Sequence, residues 1–348
     1  MMEKPRDLTL AECEEAFAMS RAHKAKKKKR KYVSDYSVTT RSRKKKQCTT
    51  ICNVNIGQVI NLGLPHVGEQ IFASIKTKSL IQCLSVSKTW NVLAKNTLIK
   101  RWKSNLKEAS EIFEKACETG QTEIVKLILK NVNIDLNAKD EIRETAFMRA
   151  SIKGQKDVIK VLLDYSTREE LDVNARSIIG NGAAFMNACE NGHKDIVQIM
   201  LDHPRSNEFD FNAKAVGDFN GFMYACLRGH KDIVQIMLDH ARSNELNFNA
   251  RCNVDGSNGF MMACEFGHIE VVKLLLDHSE SKGIDLNHRD LDGRTGFVLA
   301  CQLHSRRSHH IVSKLVRLLL EHSHIVDVSY PKNNDFPKYV KKILRERK

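Results

Sequence analysis

The chain has 348 residues, with 56 Lys and Arg against 42 Asp and Glu, a formal net charge of +14 at pH 7. The excess lies at the two ends: residues 1–47 hold 15 cations and 6 anions, residues 331–348 hold 7 and 2, and residues 48–330 hold 34 of each. A nucleic-acid-binding groove across the body of the fold is therefore not expected. The charged start and the lack of a long apolar run predict a soluble, intracellular protein without a signal peptide.

Residues 1–55 are predicted to be a basic, largely disordered region. It carries KAKKKKRK at 24–31 and RSRKKK at 41–46. Two basic clusters with a short polar spacer are typical of a bipartite nuclear-import signal, which predicts a nuclear protein with an importin among its partners. The alternative is a cytoplasmic protein with a disordered, solubilising tail. The predicted import signal consists of Lys26, Lys27, Lys28, Lys29, Arg30, Lys31, Arg43, Lys44, Lys45 and Lys46.

Residues 60–103 are predicted to form a small helical module. Leu64–Pro65 begins a helix, because proline suits an early helical position. Ile71–Phe72 gives that helix an apolar face, and Val86–Lys88 and Trp90 follow in a later helix. The order and spacing of these elements resemble the F-box, which docks the Skp-family adaptor of cullin-RING ubiquitin ligases. The alternative is a helical hairpin that caps a repeat array, since terminal repeats are usually atypical.

The F-box resemblance implies a set of adaptor-binding residues: Leu64, Pro65, Ile71, Phe72, Leu80, Leu84, Val86 and Trp90.

The segment 108–328 is repetitive. The dodecamer GHKDIVQIMLDH occurs at 192–203 and again at 229–240, and a short motif of the AFMNAC type recurs five times, every 37 or 38 residues. A period of this length predicts about five to six stacked supersecondary units. Apolar residues at helical spacing predict a second helix in each unit. The first helix is predicted to begin at a capping residue: Thr145, Asn220, Asn258 or Thr295, with Ala183 lacking the capping side chain.

These units resemble ankyrin repeats, most closely in LDGRTGFVLAC (291–301) and GHIEVVKLLLDH (267–278). Two departures are clear: Ala or Gly replaces the proline of the family motif in every copy, and extra residues such as PRSNEFD (204–210) lengthen the unit. The predicted fold class is all-α with short β-hairpins, a small helical F-box followed by an ankyrin-repeat solenoid. Residues 329–348 are predicted to be a basic tail whose end forms a short helix, packed on the last repeat or free.

The repeating polar residues are predicted to be structural. Histidines at the Gly-His steps and at the ends of the second helices recur with the period, as do Asp195, Asp232 and Glu270. Five of the ten cysteines follow an alanine in the same repeat position, which predicts small buried helix residues. No cysteine and histidine cluster has metal-ligand spacing, and no catalytic motif is present. We therefore predict no enzyme, no metal and no cofactor.

The resemblances together predict a substrate-recognition subunit of an SCF-type cullin-RING ubiquitin ligase. The F-box would bind the Skp-family adaptor and so the cullin scaffold, and the repeats would bind an unknown protein substrate. The alternatives are a nuclear ankyrin-repeat scaffold protein without a ubiquitin-ligase role, and nucleic-acid association through the basic termini. By family analogy, the predicted substrate-binding residues are Phe219, Tyr224, Leu227, Arg228, Ser257, Met262, Glu265, Phe266 and Arg294.

Overall fold

The computed structural model describes residues 73, 75–85, 88–167, 170–177, 182–303, 309–330 and 336–346. The chain divides into two compact units, Met1–Ser104 and Asn105–Lys348. The predicted import signal lies outside the described residues.

In the first unit, α1 (Thr77–Cys83) packs against α2 (Lys88–Ser104). The guanidinium of Arg101 joins them: it donates hydrogen bonds to the Thr77 hydroxyl at 2.8 Å and to the carbonyl oxygens of Ile75 at 2.9 Å and Ala73 at 3.1 Å. The buried side of α2 presents Ala94, Leu98 and Trp102, at the i, i+4, i+8 spacing of one helical face. These three residues therefore form the buried apolar face of α2.

Within the described ranges, the second unit contains six pairs of α-helices, a short α-helix and a terminal α-helix, besides short 3₁₀ turns. The pairs are α3–α4, α5–α6, α7–α8, α9–α10, α11–α12 and α14–α15. Their bounds are Leu106–Thr119, Thr122–Asn131, Ala146–Ile152, Lys156–Tyr165, Ala184–Asn191, Lys194–Asp202, Gly221–Arg228, Lys231–Asp239, Gly259–Glu265, Ile269–Asp277, Gly296–Gln302 and His309–Glu321. The short α13 spans Ser279–Lys282, and the terminal α16 spans Lys338–Glu346.

The helix pairs stack into a solenoid. First helices contact first helices from α3 to α14, and second helices contact second helices from α4 to α15. Each first helix contributes one buried phenylalanine at the same repeat position, namely Phe113, Phe147, Phe185, Phe222, Phe260 and Phe297. The core is therefore a column of equivalent side chains, and each pair buries its apolar face only against its neighbours. The predicted all-helical array is confirmed.

Four of the first helices begin at the predicted capping residues, and α7 and α9 end at glycines. The side chains of Thr145, Asn220, Asn258 and Thr295 each accept a hydrogen bond from the backbone N–H three residues later, whereas Ala183 makes no such bond. Left-handed glycines end α7 at Gly192 and α9 at Gly229, with φ of 79° and 73°. These local signals fix where each first helix begins and where the chain turns into the second.

The loops between pairs project as hairpins made of turns. Within the described ranges no strand occurs in them, and the one bridge is an isolated antiparallel pair, Arg251 with Asn258. The lengthened repeats differ from the others in a 3₁₀ turn after the second helix, at Ser206–Glu208 and again at Ser243–Glu245. Arg205, just before the first turn, donates to the backbone oxygen of Ser166 in the preceding pair at 2.9 Å. The extra residues thus reinforce the stacking of neighbouring repeats.

The periodic histidines and carboxylates also join neighbouring repeats. The Nε2 atoms of His193, His230 and His268 each lie 2.9–3.0 Å from a backbone oxygen of the preceding pair. Lys156 contacts Asp195 at 2.9 Å and Lys194 contacts Asp232 at 2.8 Å across the same boundary. The prediction that these residues are structural is confirmed.

Candidate protein-binding surface

The tips of three consecutive hairpins carry exposed apolar side chains at equivalent positions. Val216 is 67 % exposed, Val254 38 % and Leu291 77 %. Single exposed apolar residues are ordinary on protein surfaces, but a row in repeat register is not. In the first hairpin Glu141 occupies the equivalent position, and the next residue, Ile142, is 38 % exposed.

The three tips touch one another through their backbones. Asn253 N–H donates to the Gly217 carbonyl at 3.0 Å, and Leu291 N–H donates to the Asp255 carbonyl at 2.8 Å. Gly217 has a φ of 81°, and a side chain there would collide with Phe219 and Val254. The glycine therefore permits both the left-handed turn and the close approach of the next hairpin.

Phe219 and Leu227 extend this apolar row from the tips onto α9. Both are partly buried, and both pack against two core clusters, one around Tyr224 and one around Met262. The ring of Phe219 stacks on that of Tyr224 with centroids 5.3 Å apart. We name Val216, Phe219, Leu227, Val254 and Leu291 the hairpin-edge surface.

Paired charges surround the hairpin-edge surface. Lys214 contacts Asp218 at 3.0 Å, on either side of the Val216 tip. Arg228 contacts Glu190 at 2.5 Å, beside Leu227. Beyond Leu291, Arg294 contacts Asp290 at 2.7 Å and Asp292 at 3.0 Å. Three cations therefore face four carboxylates around the apolar row, and the net charge there is small.

Three of the predicted substrate-binding residues lie in the core, and the prediction is corrected for them. Tyr224 is 7 % exposed, Met262 3 % and Ser257 1 %. Burial raises the pKa of the Tyr224 hydroxyl well above its ordinary value, since the phenolate would be poorly solvated. Tyr224 and Met262 face the hairpin of their own repeat, so stacked hairpins cover side chains that family analogy places at the surface.

The other predicted substrate-binding residues reach solvent. Phe219, Leu227, Glu265, Phe266 and Arg294 are partly exposed, and Arg228 is exposed. Phe219 and Leu227 belong to the hairpin-edge surface. Phe266 ends α11 and stacks on His268 with centroids 6.5 Å apart. Arg228 and Arg294 are engaged in the ion pairs around the surface.

Few of the predicted adaptor-binding residues fall within the described ranges. Leu80 is fully buried in the first unit, so it supports α1 and does not present a contact surface, which corrects that part of the prediction. Leu84 is partly exposed, and Trp90 is described by its backbone alone. Leu64, Pro65, Ile71, Phe72 and Val86 lie outside the described residues.

The described residues contain no metal-binding cluster and no candidate membrane span. Within these ranges no group of three or more His, Cys, Asp or Glu side chains could hold a metal ion. Burial raises the pKa of the Cys189 and Cys264 thiols well above their ordinary value, which makes them poor nucleophiles. None of the helices described has the length and apolar character of a membrane span.

Sequence reasoning missed Val216, Val254 and Leu291. The available signal was their position: each lies five residues before the first residue of the next first helix, at 37- or 38-residue intervals. An apolar residue at the centre of a turn has no local role to explain it. Its recurrence in three copies points to a shared function outside the core.

Comparison with known families gives one match. The family model for ankyrin repeats, which spans three copies, matches residues 92–177, 168–251 and 185–290, and these segments together cover more than half of the chain. No curated relative matches the chain. Ankyrin repeats are non-catalytic modules that bind other proteins. The stacked helix pairs, the hairpin loops and this match agree, and the chain belongs to the ankyrin-repeat family.

Proposed function

We propose that this chain is a non-catalytic protein that holds a protein partner on the hairpin-edge surface. The observation that carries the proposal is the row of Val216, Val254 and Leu291, exposed in consecutive hairpins that hydrogen-bond to one another. Three rigidly stacked tips present a preorganised apolar edge, which lowers the entropic cost of binding. Phe219 and Leu227 continue that edge onto α9 and are the natural anchors beside it.

The proposed partner is recognised by apolar side chains more than by charge. The ion pairs of Lys214, Arg228 and Arg294 neutralise the surroundings of the surface, so long-range attraction of a charged partner is weak. Affinity at this surface should therefore vary little with ionic strength.

Site-specific photocrosslinking tests this proposal in cells. A photoreactive phenylalanine replaces Val216 or Leu291, and a matched control places it at Tyr165, which is 45 % exposed at the end of α6. A shared adduct from the two hairpin positions that is absent from the control supports the surface. Equal labelling from all three positions would contradict it.

We further propose that the partner is a protein to be ubiquitinated and that the chain is a receptor of an SCF-type cullin-RING ligase. This step rests on the sequence pattern of Leu64–Pro65, Ile71–Phe72, Val86–Lys88 and Trp90. The mechanism is tethering, because holding a substrate beside a charged conjugating enzyme raises its local concentration. The basic clusters at 24–31 and 41–46 support nuclear import of the chain.

Copurification with the Skp-family adaptor tests the ligase step. Wild-type chain is compared with a Leu64→Ala, Pro65→Ala double variant, and with a Leu106→Ala variant as control, since Leu106 is exposed and begins α3. Adaptor retained by the wild type and the control but lost from the double variant supports the receptor. No adaptor with folded wild-type chain leaves the nuclear scaffold as the better account.

A further inference from the structure

The helices at the C-terminal end of the array, α15 and α16, are more basic than the rest of the array. The terminal helix α16 buries Val340, Ile343 and Leu344, and so it is anchored to the array by one apolar face. Its neighbour is α15, with which it packs. The ring of His309 lies 4.4 Å from that of Tyr339 near the two helix starts, and Arg317 contacts Glu346 at 3.1 Å near the two ends. The helices therefore run side by side in the same direction.

The outward face of this pair is basic. On α16 the exposed cations follow the i, i+3, i+4, i+7 spacing of a single helical face. On α15, Lys314 and Arg317 are exposed one turn apart. We name this set the C-terminal basic face: Lys314, Arg317, Lys338, Lys341, Lys342 and Arg345.

The two helices α15 and α16 carry few exposed carboxylates. The exposed acidic side chains of the two helices are Glu321 and Glu346. Glu346 lies 3.1 Å from Arg317 and 3.9 Å from Lys342, so one carboxylate is shared by two cations. Inside the array, by contrast, Lys156 and Lys194 at the starts of second helices each contact an aspartate of the next repeat.

The stability of α16 does not explain why its four cations lie on one face. Lys338 and Lys342 form a like-charge i, i+4 pair, and so do Lys341 and Arg345, and such pairs destabilise a helix. The four cations extend over about 10 Å of helix axis, at about 1.5 Å per residue. A linear polyanion of high charge density is the ligand that such a row attracts most strongly.

We propose that the C-terminal basic face binds the phosphate backbone of duplex nucleic acid without reading its sequence. Duplex DNA carries about one negative charge per 1.7 Å of axis, about twice the density of an extended peptide in which every residue is acidic. Lysines on one helix face supply phosphate contacts but no base-edge recognition, which calls for side chains inserted in a groove. This inference goes beyond the protein-binding function proposed above and does not depend on it.

Fluorescence anisotropy tests the proposal. The probe is a labelled duplex of about 20 bp, which is long enough for several phosphate contacts with the helix. The full-length chain is used, with the cations of 24–31 and 41–46 replaced by glutamine so that they do not mask the effect. The test variant carries Lys338→Gln, Lys341→Gln, Lys342→Gln and Arg345→Gln. The matched control carries Lys107→Gln, Lys153→Gln, Lys160→Gln and Lys273→Gln, four exposed lysines elsewhere in the array.

The expected result is a loss of at least about tenfold in duplex affinity at about 50 mM salt for the test variant, with the control within about threefold of the parent. The slope of log affinity against log salt should become less steep by about 3 in the test variant alone. Circular dichroism confirms that both variants are folded. Equal affinity and slope in the test and control variants would overturn the proposal, as would tighter binding of a labelled poly-glutamate peptide than of the duplex.

Discussion

The side chain of Asn212 holds the backbone of the next repeat at Asn247. Its Oδ1 accepts a hydrogen bond from the Asn247 N–H at 2.7 Å, and its Nδ2 donates to the carbonyl oxygen of Glu245 at 2.7 Å. An asparagine makes the same pair of bonds at every boundary between repeats, namely Asn137, Asn174, Asn212, Asn249 and Asn287. An amide suits this role because it both donates and accepts.

We expect Asn212→Asp to destabilise the array by about 0.5–1.5 kcal/mol, the net contribution of a hydrogen bond that solvent can reach. The carboxylate cannot donate to the Glu245 carbonyl, and it leaves that acceptor unpaired beside a negative charge. Chemical denaturation measures the loss. Asn191→Asp is the control, because the Asn191 amide bonds only within its own helix, to the Asn187 carbonyl at 2.8 Å. A loss of the same size in both variants would show that the hydrogen bonds between repeats contribute no more to stability than a bond within one helix.

Gly259→Ala should lower stability, although alanine normally favours a helix over glycine by about 1 kcal/mol. A methyl group there would lie 2.7 Å from Cε1 of Phe222, a buried ring packed edge-on against Phe248. Overpacking of this kind costs about 1–3 kcal/mol. Thermal unfolding of the variant gives the sign of the effect.

A second substitution isolates the cause of the Gly259→Ala effect. Phe222→Leu removes the ring atom that the new methyl group would meet, so the double variant should lose less than the sum of the two single losses. Additive losses would show that the contact with Phe222 is not responsible.

Arg205→Gln should destabilise more than Arg242→Gln, although both arginines begin the same four-residue RSNE segment. Glu208, the partner of Arg205 at 2.7 Å, has a side chain only 14 % exposed, whereas Glu245, the partner of Arg242, is 56 % exposed. Removing Arg205 leaves a largely buried carboxylate unpaired, at a cost of about 3 kcal/mol. The exposed pair of Arg242 contributes about 0–1 kcal/mol. Urea midpoints of the two variants provide the comparison, and a larger loss for Arg242→Gln would refute this ranking.

The carboxyl of Asp195 should titrate below its ordinary range. A hydrogen bond from Lys156 and the attraction of its charge lower the pKa of Asp195, and Lys194 lowers that of Asp232 in the same way. Because these folded-state pKa values are lowered, the ion pairs stabilise the fold above the ordinary carboxyl range and lose that effect as the pH falls through the lowered value. NMR titration of Lys156→Gln should show the pKa of Asp195 raised and that of Asp232 nearly unchanged. An unshifted Asp195 would exclude the proposed ion pair in solution.

Sequence alone determined the features that depend on neighbours along the chain. Helix capping and left-handed turns depend only on nearby backbone and side-chain atoms. Examples are the caps Asn220 on α9 and Asn258 on α11, the uncapped start at Ala183, and the turns at Gly192 and Gly229. The repeat period could also be read from the sequence, because each copy repeats the same local pattern. The boundary residues that these signals mark agree with the structure throughout the array.

Only the tertiary structure decided which side of each repeat is covered. Tyr224 and Met262 are buried because the adjoining hairpin closes over them, while Val216 and Leu291 are exposed because the tips project beyond the stack. Burial of Tyr224 and Met262 depends on how each hairpin packs on its own first helix and on the preceding repeat, and not on local pattern. The partners of Asn212 and His230 are likewise supplied by neighbouring repeats. Periodicity in the sequence predicts that the repeats stack, but the packed array alone determines which side chains remain available to a partner.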